Sequence, residues 1–179
     1  MLEQADRIRR RTPGYAFVIL LLIAALVATA FLWARPDPGP LEPPLGRSRV
    51  GVTAQLGQTV TAAAMDLVAY RGEGRVVLDS VEAVDVTPGI GVVGYLVLLP
   101  HAAGTIESAA EWPPAGYDVR EVQGFTYSAL STQPQIIVGL KALSDGRSSI
   151  AGFRLRYRVG GAEYVVSYAQ QIDVCVPSC

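Results

Sequence analysis

Residues 153–168 read FRLRYRVGGAEYVVSY, in which apolar residues recur at every second position on both sides of Gly160-Gly161. Such alternation is typical of strands with one buried face, and a two-residue Gly-Gly loop is typical of a β-hairpin. This loop would pair Val159 with Ala162, which brings both apolar patterns onto one face. The stretch therefore predicts an antiparallel hairpin with a defined register. Its predicted inward pairs are Tyr157 with Tyr164, Leu155 with Val166, and Phe153 with Tyr168.

The opposite face of this hairpin carries Arg154, Arg156 and Arg158, with Glu163 across from Arg158. We predict that the three arginines form an exposed basic row. The row is a candidate surface for an anionic partner, such as a lipid head group, a wall polymer or an acidic protein. A solvated face that resists edge-to-edge pairing is the alternative. The balance from residue 35 onward, 11 basic against 14 acidic side chains, favours that alternative.

The chain beyond residue 47 is rich in valine, tyrosine, threonine and glycine, and its apolar runs are bounded by turn residues. Runs at this spacing are typical of a sandwich or a barrel. About 130 residues are enough to bury one two-sheet core. We therefore predict an all-β domain over residues 47–179. Its predicted strands are 49–55, 58–70, 75–86, 91–99, 117–123, 135–143, 149–159 and 162–175.

Alternation assigns side chains to faces in the last of these strands. It places Ile172, Val174 and Val176 inward, and it places Asp173 and Cys175 outward. The last strand is therefore expected to add three apolar residues to the core.

Three acidic residues share the predicted strand 75–86. Strict alternation would put Asp79 and Asp85 on one face and Glu82 on the other. The two aspartates would lie roughly 20 Å apart in an extended strand, which is too far for a shared proton or a single calcium ion. We predict no acid pair or calcium site here.

The segment 15–34 contains no charged residue and is almost entirely apolar. A helix of this length spans roughly 30 Å, the thickness of the hydrocarbon core of a bilayer. It predicts one transmembrane helix, preceded by a basic cytoplasmic arm over 1–14 that directs the C-terminal domain outside the cytoplasm. A signal peptide cleaved after Ala30 is the alternative. The arginines of the arm are Arg7, Arg9, Arg10 and Arg11.

Five prolines occur in residues 35–46, directly after the apolar segment. Proline fixes φ and favours polyproline II, so this stretch is predicted to be a semi-rigid spacer. The predicted order is arm, transmembrane helix, spacer and β-domain.

Together, the anchor, the proline spacer, the phrase FRLRYRVGGAEY (153–164) and a late cysteine resemble the small membrane-anchored, immunoglobulin-like ectodomains of high-GC bacteria. The resemblance implies an immunoglobulin-like β-sandwich in the cell envelope. It carries over no functional residue.

Cys175 and Cys179 are the two cysteines of the chain. Outside the cytoplasm such a pair tends to oxidise, so we predict a structural disulfide. A copper site with two thiolates is an alternative, with Met65 or His101 as further ligands. Redox exchange and cross-linking of two chains are further alternatives.

Candidate catalytic residues are scarce. His101 is the sole histidine, and the sequence contains neither a Gly-x-Ser-x-Gly elbow nor a Ser-x-x-Lys motif that includes Lys141. We predict no enzymatic activity, no cofactor and no resident metal. Trp112, in the long connection 100–116, is a candidate interaction residue, or it is part of a loop folded onto the sandwich.

These patterns indicate a non-enzymatic, single-pass membrane protein with an extracytoplasmic interaction or accessory domain. The partner would be an envelope protein or another envelope component. A net charge of −1 argues against nucleic acid. A thiol-redox or copper-handling module that uses Cys175 and Cys179 is the alternative function.

Overall fold

A computed structural model of the chain describes residues 13–33, 39–41, 46–67, 70, 74–99, 105–128 and 134–178. Its internal contacts divide the chain into two units, with the boundary between residues 36 and 37. In the described residues, the first unit contains one helix and the second contains eleven strands in two sheets.

The helix of the first unit, α1, spans Pro13–Trp33 and coincides closely with the predicted apolar segment. Proline is tolerated at the start of a helix because the first N–H groups have no intrahelical partner. Every side chain in residues 17–27 is exposed. In the described part of the chain, no helix is both long and apolar enough to cross a membrane.

The second unit consists of a front sheet and a back sheet. In the front sheet the order is β1-β11-β9-β3-β7, and β10 also pairs with β9. The front sheet contains β1 (Ser48–Thr53), β3 (Arg75–Val86), β7 (Thr126–Ser128), β9 (Gly146–Val159), β10 (Ala162–Tyr168) and β11 (Gln170–Val176). In the back sheet the order is β5-β2-β8-β4-β6. The back sheet contains β2 (Thr59–Asp66), β4 (Ile90–Leu98), β5 (Ser108–Ala109), β6 (Val119–Glu121) and β8 (Gln135–Ala142).

The hairpin of β9 and β10 has the predicted register. Val159 pairs with Ala162 across the turn, and the inward pairs continue to Phe153 with Tyr168. Gly160 and Gly161 have φ values of 58° and 88°, which a two-residue turn of this type requires and which glycine adopts without strain. The turn and the apolar pattern therefore agree on one pairing.

One core lies between the two sheets, as an all-β sandwich requires. Leu78 and Leu155 of the front sheet belong to the same buried cluster as Val138 and Leu140 of the back sheet. The last strand contributes Ile172, Val174 and Val176, as alternation predicts. The all-β, two-sheet prediction is confirmed.

The predicted strand 162–175 is two strands in the structure. Tyr168 pairs with Phe153, whereas Ile172 pairs with Ile150, so the pairing with β9 shifts by one residue between β10 and β11. A Cβ on Gly152 would lie 2.6 Å from the carbonyl oxygen of Tyr168. Glycine at position 152 therefore allows the shifted strand to pass close to β9.

Part of the predicted spacer 35–46 belongs to the β-domain. Leu41 is fully buried, and its N–H donates a 3.1 Å hydrogen bond to the Tyr157 hydroxyl. Gly39 has a φ of 68°, and a Cβ there would overlap the stacked rings of Tyr157 and Tyr164. Residues 39–41 are thus packed onto the hairpin instead of forming spacer, because the core takes up the apolar side chain of Leu41.

Two buried tyrosines leave a polar atom without a partner. The hydroxyls of Tyr127 and Tyr168 form no hydrogen bond within the described part of the chain. Burial raises the pKa of both hydroxyls. A buried hydroxyl that forms no hydrogen bond costs about 1 to 3 kcal/mol.

We expect Tyr168→Phe to raise the free energy of unfolding by about 1 kcal/mol, because it removes an unsatisfied hydroxyl and keeps the ring. Tyr157→Phe is the matched control. It removes the acceptor of the Leu41 N–H and should lower stability by a similar amount. Thermal unfolding of the full chain in detergent measures both changes.

Tyr168→Phe should also change how the free energy of unfolding depends on pH. The folded state keeps the Tyr168 proton at a pH where the unfolded chain loses it, so wild-type stability falls as the pH rises above about 10. This fall should be shallower in Tyr168→Phe. An equal or lower stability of Tyr168→Phe at pH 7 would contradict the assignment.

Candidate binding surfaces

The arginine row on the hairpin is largely neutralised by acids of β3. Arg158 donates hydrogen bonds of 2.7 to 3.0 Å to both carboxylate oxygens of Asp79, and Arg154 lies 3.6 Å from Glu82. The hydrogen bonds that Arg158 donates to Asp79 raise the pKa of its guanidinium group. Arg156 forms no ion pair with another described residue. The row exists as predicted, but two of its three charges are paired.

The expectation that Asp79 and Glu82 lie on opposite faces is wrong. The pairing of β3 with β9 shifts by one residue between Leu78 and Ser80. Val77 before the bulge pairs with Arg158 and Glu82 after it pairs with Arg154, so residues of opposite parity face outward on the two sides of the bulge. Both acids therefore reach the arginine face, which alternation alone could not predict.

Trp112 is half-buried on the outer face of the back sheet. Its indole lies over Gly139 of β8, where a Cβ would overlap the ring, and 3.8 Å from a Cβ built on Gly94. A small cluster around buried Ile106 and Ile137 packs beside it. The sequence left two alternatives for Trp112, an interaction residue or part of a loop folded onto the sandwich. The structure has the folded loop, because Gly139 and Gly94 leave space for the indole ring.

We expect Gly139→Ala to displace the indole and to shift the fluorescence emission of Trp112 to longer wavelength. Gly94→Ala is the control, since its new methyl group would lie 3.8 Å from the indole of Trp112, which is an ordinary van der Waals distance. Both variants are measured in a Trp33→Phe background, which leaves Trp112 as the only fluorophore of its kind. An unchanged emission spectrum in Gly139→Ala would refute this packing.

Cys175 is buried and disulfide-bonded. Its predicted partner Cys179 and the candidate copper ligand His101 lie outside the described residues, so the Cys175–Cys179 pairing stays a prediction. Met65 is buried in the core between the sheets, whereas Cys175 lines the outer face of the front sheet. Within the described part of the chain, no group of three or more His, Cys, Asp or Glu side chains is arranged to hold a metal ion.

A groove on the outer face of the front sheet lies beside Cys175. We call it the terminal-strand groove because β1 and β11, the first and last strands, form most of it. Its volume is about 370 Å³. The lining residues are Arg49, Gly51, Gly146, Arg147, Asp173, Cys175 and Ser178.

Strand pairing brings the charged residues of the groove together. β1 runs parallel to β11 and places Gly51 beside Asp173, while β9 runs antiparallel on the other side. Arg49 and Arg147 are diagonal neighbours of Asp173 on the two flanking strands, within reach of long side chains. One carboxylate near the end of the domain sequence is thus held between an arginine of the first strand, Arg49, and an arginine of β9, Arg147.

Asp173 is the buried member of this cluster. Its side chain is 4% exposed, whereas those of Arg49 and Arg147 are 56% and 55% exposed. Arg147 donates hydrogen bonds of 3.2 and 2.8 Å to the carboxylate, and Gln171 donates one of 3.1 Å. The Arg49 Nε also donates to it. A buried carboxylate is stable here because charged donors replace its water.

Arg49, Arg147 and the role of Asp173 were not predicted from the sequence. Asp173 is on the outward face, as predicted, but it is buried there. The sequence signal is an acid in the middle of the last strand, at an outward position between apolar neighbours. Its partners could not be found, because no local pattern predicts that β1 pairs in parallel with β11.

We expect Asp173→Asn to lower the free energy of unfolding by about 2 to 3 kcal/mol, because the amide has no charge and replaces one acceptor oxygen by an NH2 group that faces N–H donors. Asp118→Asn is the matched control. Asp118 pairs with Arg120 at the surface, with side chains 48% and 60% exposed, so its loss should cost less than about 0.5 kcal/mol. Thermal unfolding compares the two, and equal losses would mean that burial does not strengthen the Asp173 cluster.

No protein-family model and no curated protein matches the chain. The function has to be inferred from the residues of the chain itself, and the terminal-strand groove combines charge, burial and fixed geometry in one concave surface.

Proposed function

We propose that this protein is a non-enzymatic, single-pass membrane protein that presents an immunoglobulin-like β-sandwich outside the cytoplasm of a bacterial cell as a binding domain. The observation that carries the proposal is the terminal-strand groove. Two half-exposed arginines are held there by a buried carboxylate around a concavity of about 370 Å³. Concave surfaces with a few fixed polar groups are typical binding sites.

The order of the strands supports the immunoglobulin-like description. In immunoglobulin domains the third, sixth and seventh strands share one sheet, and the second, fourth and fifth share the other. Here β3, β9 and the β10–β11 pair lie in the front sheet, and β2, β4 and β8 lie in the back sheet. If β10 and β11 count as one strand and the short β5, β6 and β7 are left out, the two orders agree for every strand except the first, which here lies in the front sheet beside β11. The resemblance to membrane-anchored bacterial ectodomains rests on the anchor, the proline spacer, the phrase FRLRYRVGGAEY (153–164) and the late cysteine.

The composition of the N-terminal region supports the anchor. The segment 15–34 carries no charge, and the described side chains of α1 between residues 17 and 27 are apolar or small and exposed. A lipid environment would cover such a surface. The four arginines of the preceding arm favour an N-terminus in the cytoplasm.

An envelope partner is more plausible at the groove than at the arginine row. Two arginines of the row already pair with Asp79 and Glu82, and Glu163 is the strand partner of Arg158, so the three arginines of the row face three acids. The groove keeps two arginines for one acid. A thiol-redox or copper-handling role needs an accessible sulfur, and buried, disulfide-bonded Cys175 does not favour it.

A photo-crosslinking residue at Ser178, on the rim of the groove, tests the proposal in intact cells. We expect ultraviolet light to produce a discrete covalent adduct of the full-length protein with an envelope component. Position 163 is the control, because Glu163 is exposed beside the arginine row. The photo-crosslinking residue placed there should give no such adduct.

Protease treatment of the same intact cells tests the compartment. Protease should remove the β-domain and spare a tag on the N-terminal arm. The proposal fails if the β-domain survives while an outward-facing control protein is digested, or if Ser178 and Glu163 give the same crosslinking pattern.

A further inference from the structure

We infer that the terminal-strand groove is an oxyanion-binding site that takes a carboxylate or phosphate group. This inference deepens the proposed binding role and rests on it. It follows from the supply of hydrogen-bond donors and acceptors in the groove, from the ratio of arginines to acids, and from the space that two glycines leave open.

The acceptor side of the groove is already occupied. The Asp173 carboxylate receives hydrogen bonds from Arg49, from two nitrogens of Arg147 and from Gln171. A carboxylate has about four acceptor positions, so these contacts satisfy it. A ligand that brings N–H donors, such as an amine, would find no free carboxylate oxygen in the groove.

The donor side is in excess. Each guanidinium group carries about five N–H donors, and Asp173 uses one nitrogen of Arg49 and two of Arg147. The remaining N–H groups belong to side chains that are more than half exposed. A ligand that accepts several hydrogen bonds through a compact anionic group therefore fits the groove best.

The ratio of charges sets this cluster apart from the other ion pairs in the described part of the chain. Arg158 pairs with Asp79, Arg154 with Glu82 and Arg120 with Asp118, one acid to one arginine. Asp173 is shared by two arginines. The described charged residues of the groove thus leave a net positive charge of about one, which a single carboxylate or phosphate group would balance.

Asp173 also fixes the geometry of its partners. An arginine side chain has high rotamer entropy, and a ligand that has to order it loses binding free energy. Two hydrogen bonds from Arg147 to one carboxylate hold its guanidinium plane in place before any ligand arrives. Asp173 is therefore a positioning residue, and the two arginines would contact the oxyanion.

Two glycines keep the groove open. Gly51 is the strand partner of Asp173, and a side chain there would project over the carboxylate on the outer face. At Gly146 a Cβ would meet no atom within 4 Å, so the space above it is empty. A volume of about 370 Å³ accommodates one anionic group with a small substituent.

The inference is tested on the full-length protein in nonionic detergent. Sodium acetate and sodium phosphate are titrated separately at constant ionic strength, with chloride as the control anion. The readouts are calorimetry and the Nε–H NMR signals of Arg49 and Arg147. We expect saturable binding of at least one oxyanion, with shifts in both arginine signals. A preference for acetate would indicate a carboxylate on the partner, and a preference for phosphate would indicate a phosphate group.

Three variants locate the site. Arg49→Gln and Arg147→Gln should each weaken binding about tenfold or more, since each removes charge-assisted hydrogen bonds. Gly51→Val fills the groove without changing its charge and should weaken binding by a similar factor. Arg120→Gln removes an arginine from an exposed pair elsewhere and should change affinity less than about twofold. Thermal unfolding of each variant confirms that it is folded.

The inference is overturned if neither anion binds better than chloride, or if folded Gly51→Val and Arg147→Gln bind as the wild type does. Its failure differs from failure of the proposed function. An adduct at Ser178 without oxyanion binding would leave the binding domain in place and remove the oxyanion site. Oxyanion binding without an adduct at Ser178 would keep the oxyanion site and remove the proposed role as a binding domain for an envelope partner.

Discussion

The pairing of β9 with its neighbours is the constraint on which the front sheet depends. β9 pairs with β3 along one edge and with β10 and then β11 along the other. Gly160 and Gly161 fix the register of β9 against β10, and a slip of one residue would turn Tyr157 and Leu155 out of the core. The hairpin also holds Leu41 through the Tyr157 hydroxyl. One tight turn thereby sets the inner face of the sheet.

The outer face of the same sheet has two charged regions with different balances. Near the hairpin, a bulge in β3 brings Asp79 and Glu82 to the arginines, and the charges nearly cancel. At the other end, β11 lies between β1 and β9 and buries Asp173 beneath Arg49 and Arg147. Among the ion pairs in the described part of the front sheet, Asp173 is the acid that two arginines share, so the groove is the donor-rich part of this face.

Local chemistry made much of the fold predictable. The alternation in β9 and β10, the Gly-Gly turn and the inward residues Ile172, Val174 and Val176 all depend on neighbours in the chain, and they match the structure. The short strands β5 and β7 were not predicted, because two or three residues carry no recognisable period. The acid pairing on β3 was missed because a bulge reverses the alternation from which it was read.

The sequence by itself determined the all-β class, the register of the last hairpin and the apolar N-terminal segment, because each depends on periodicity or composition within a short stretch. Only the tertiary structure decided which outward residues meet. Arg49 and Asp173 are 124 residues apart in the chain, and they come together because the first strand pairs in parallel with the last. Pairing between strands so far apart in the chain depends on how the two sheets pack together, so no pattern of neighbouring residues predicts it.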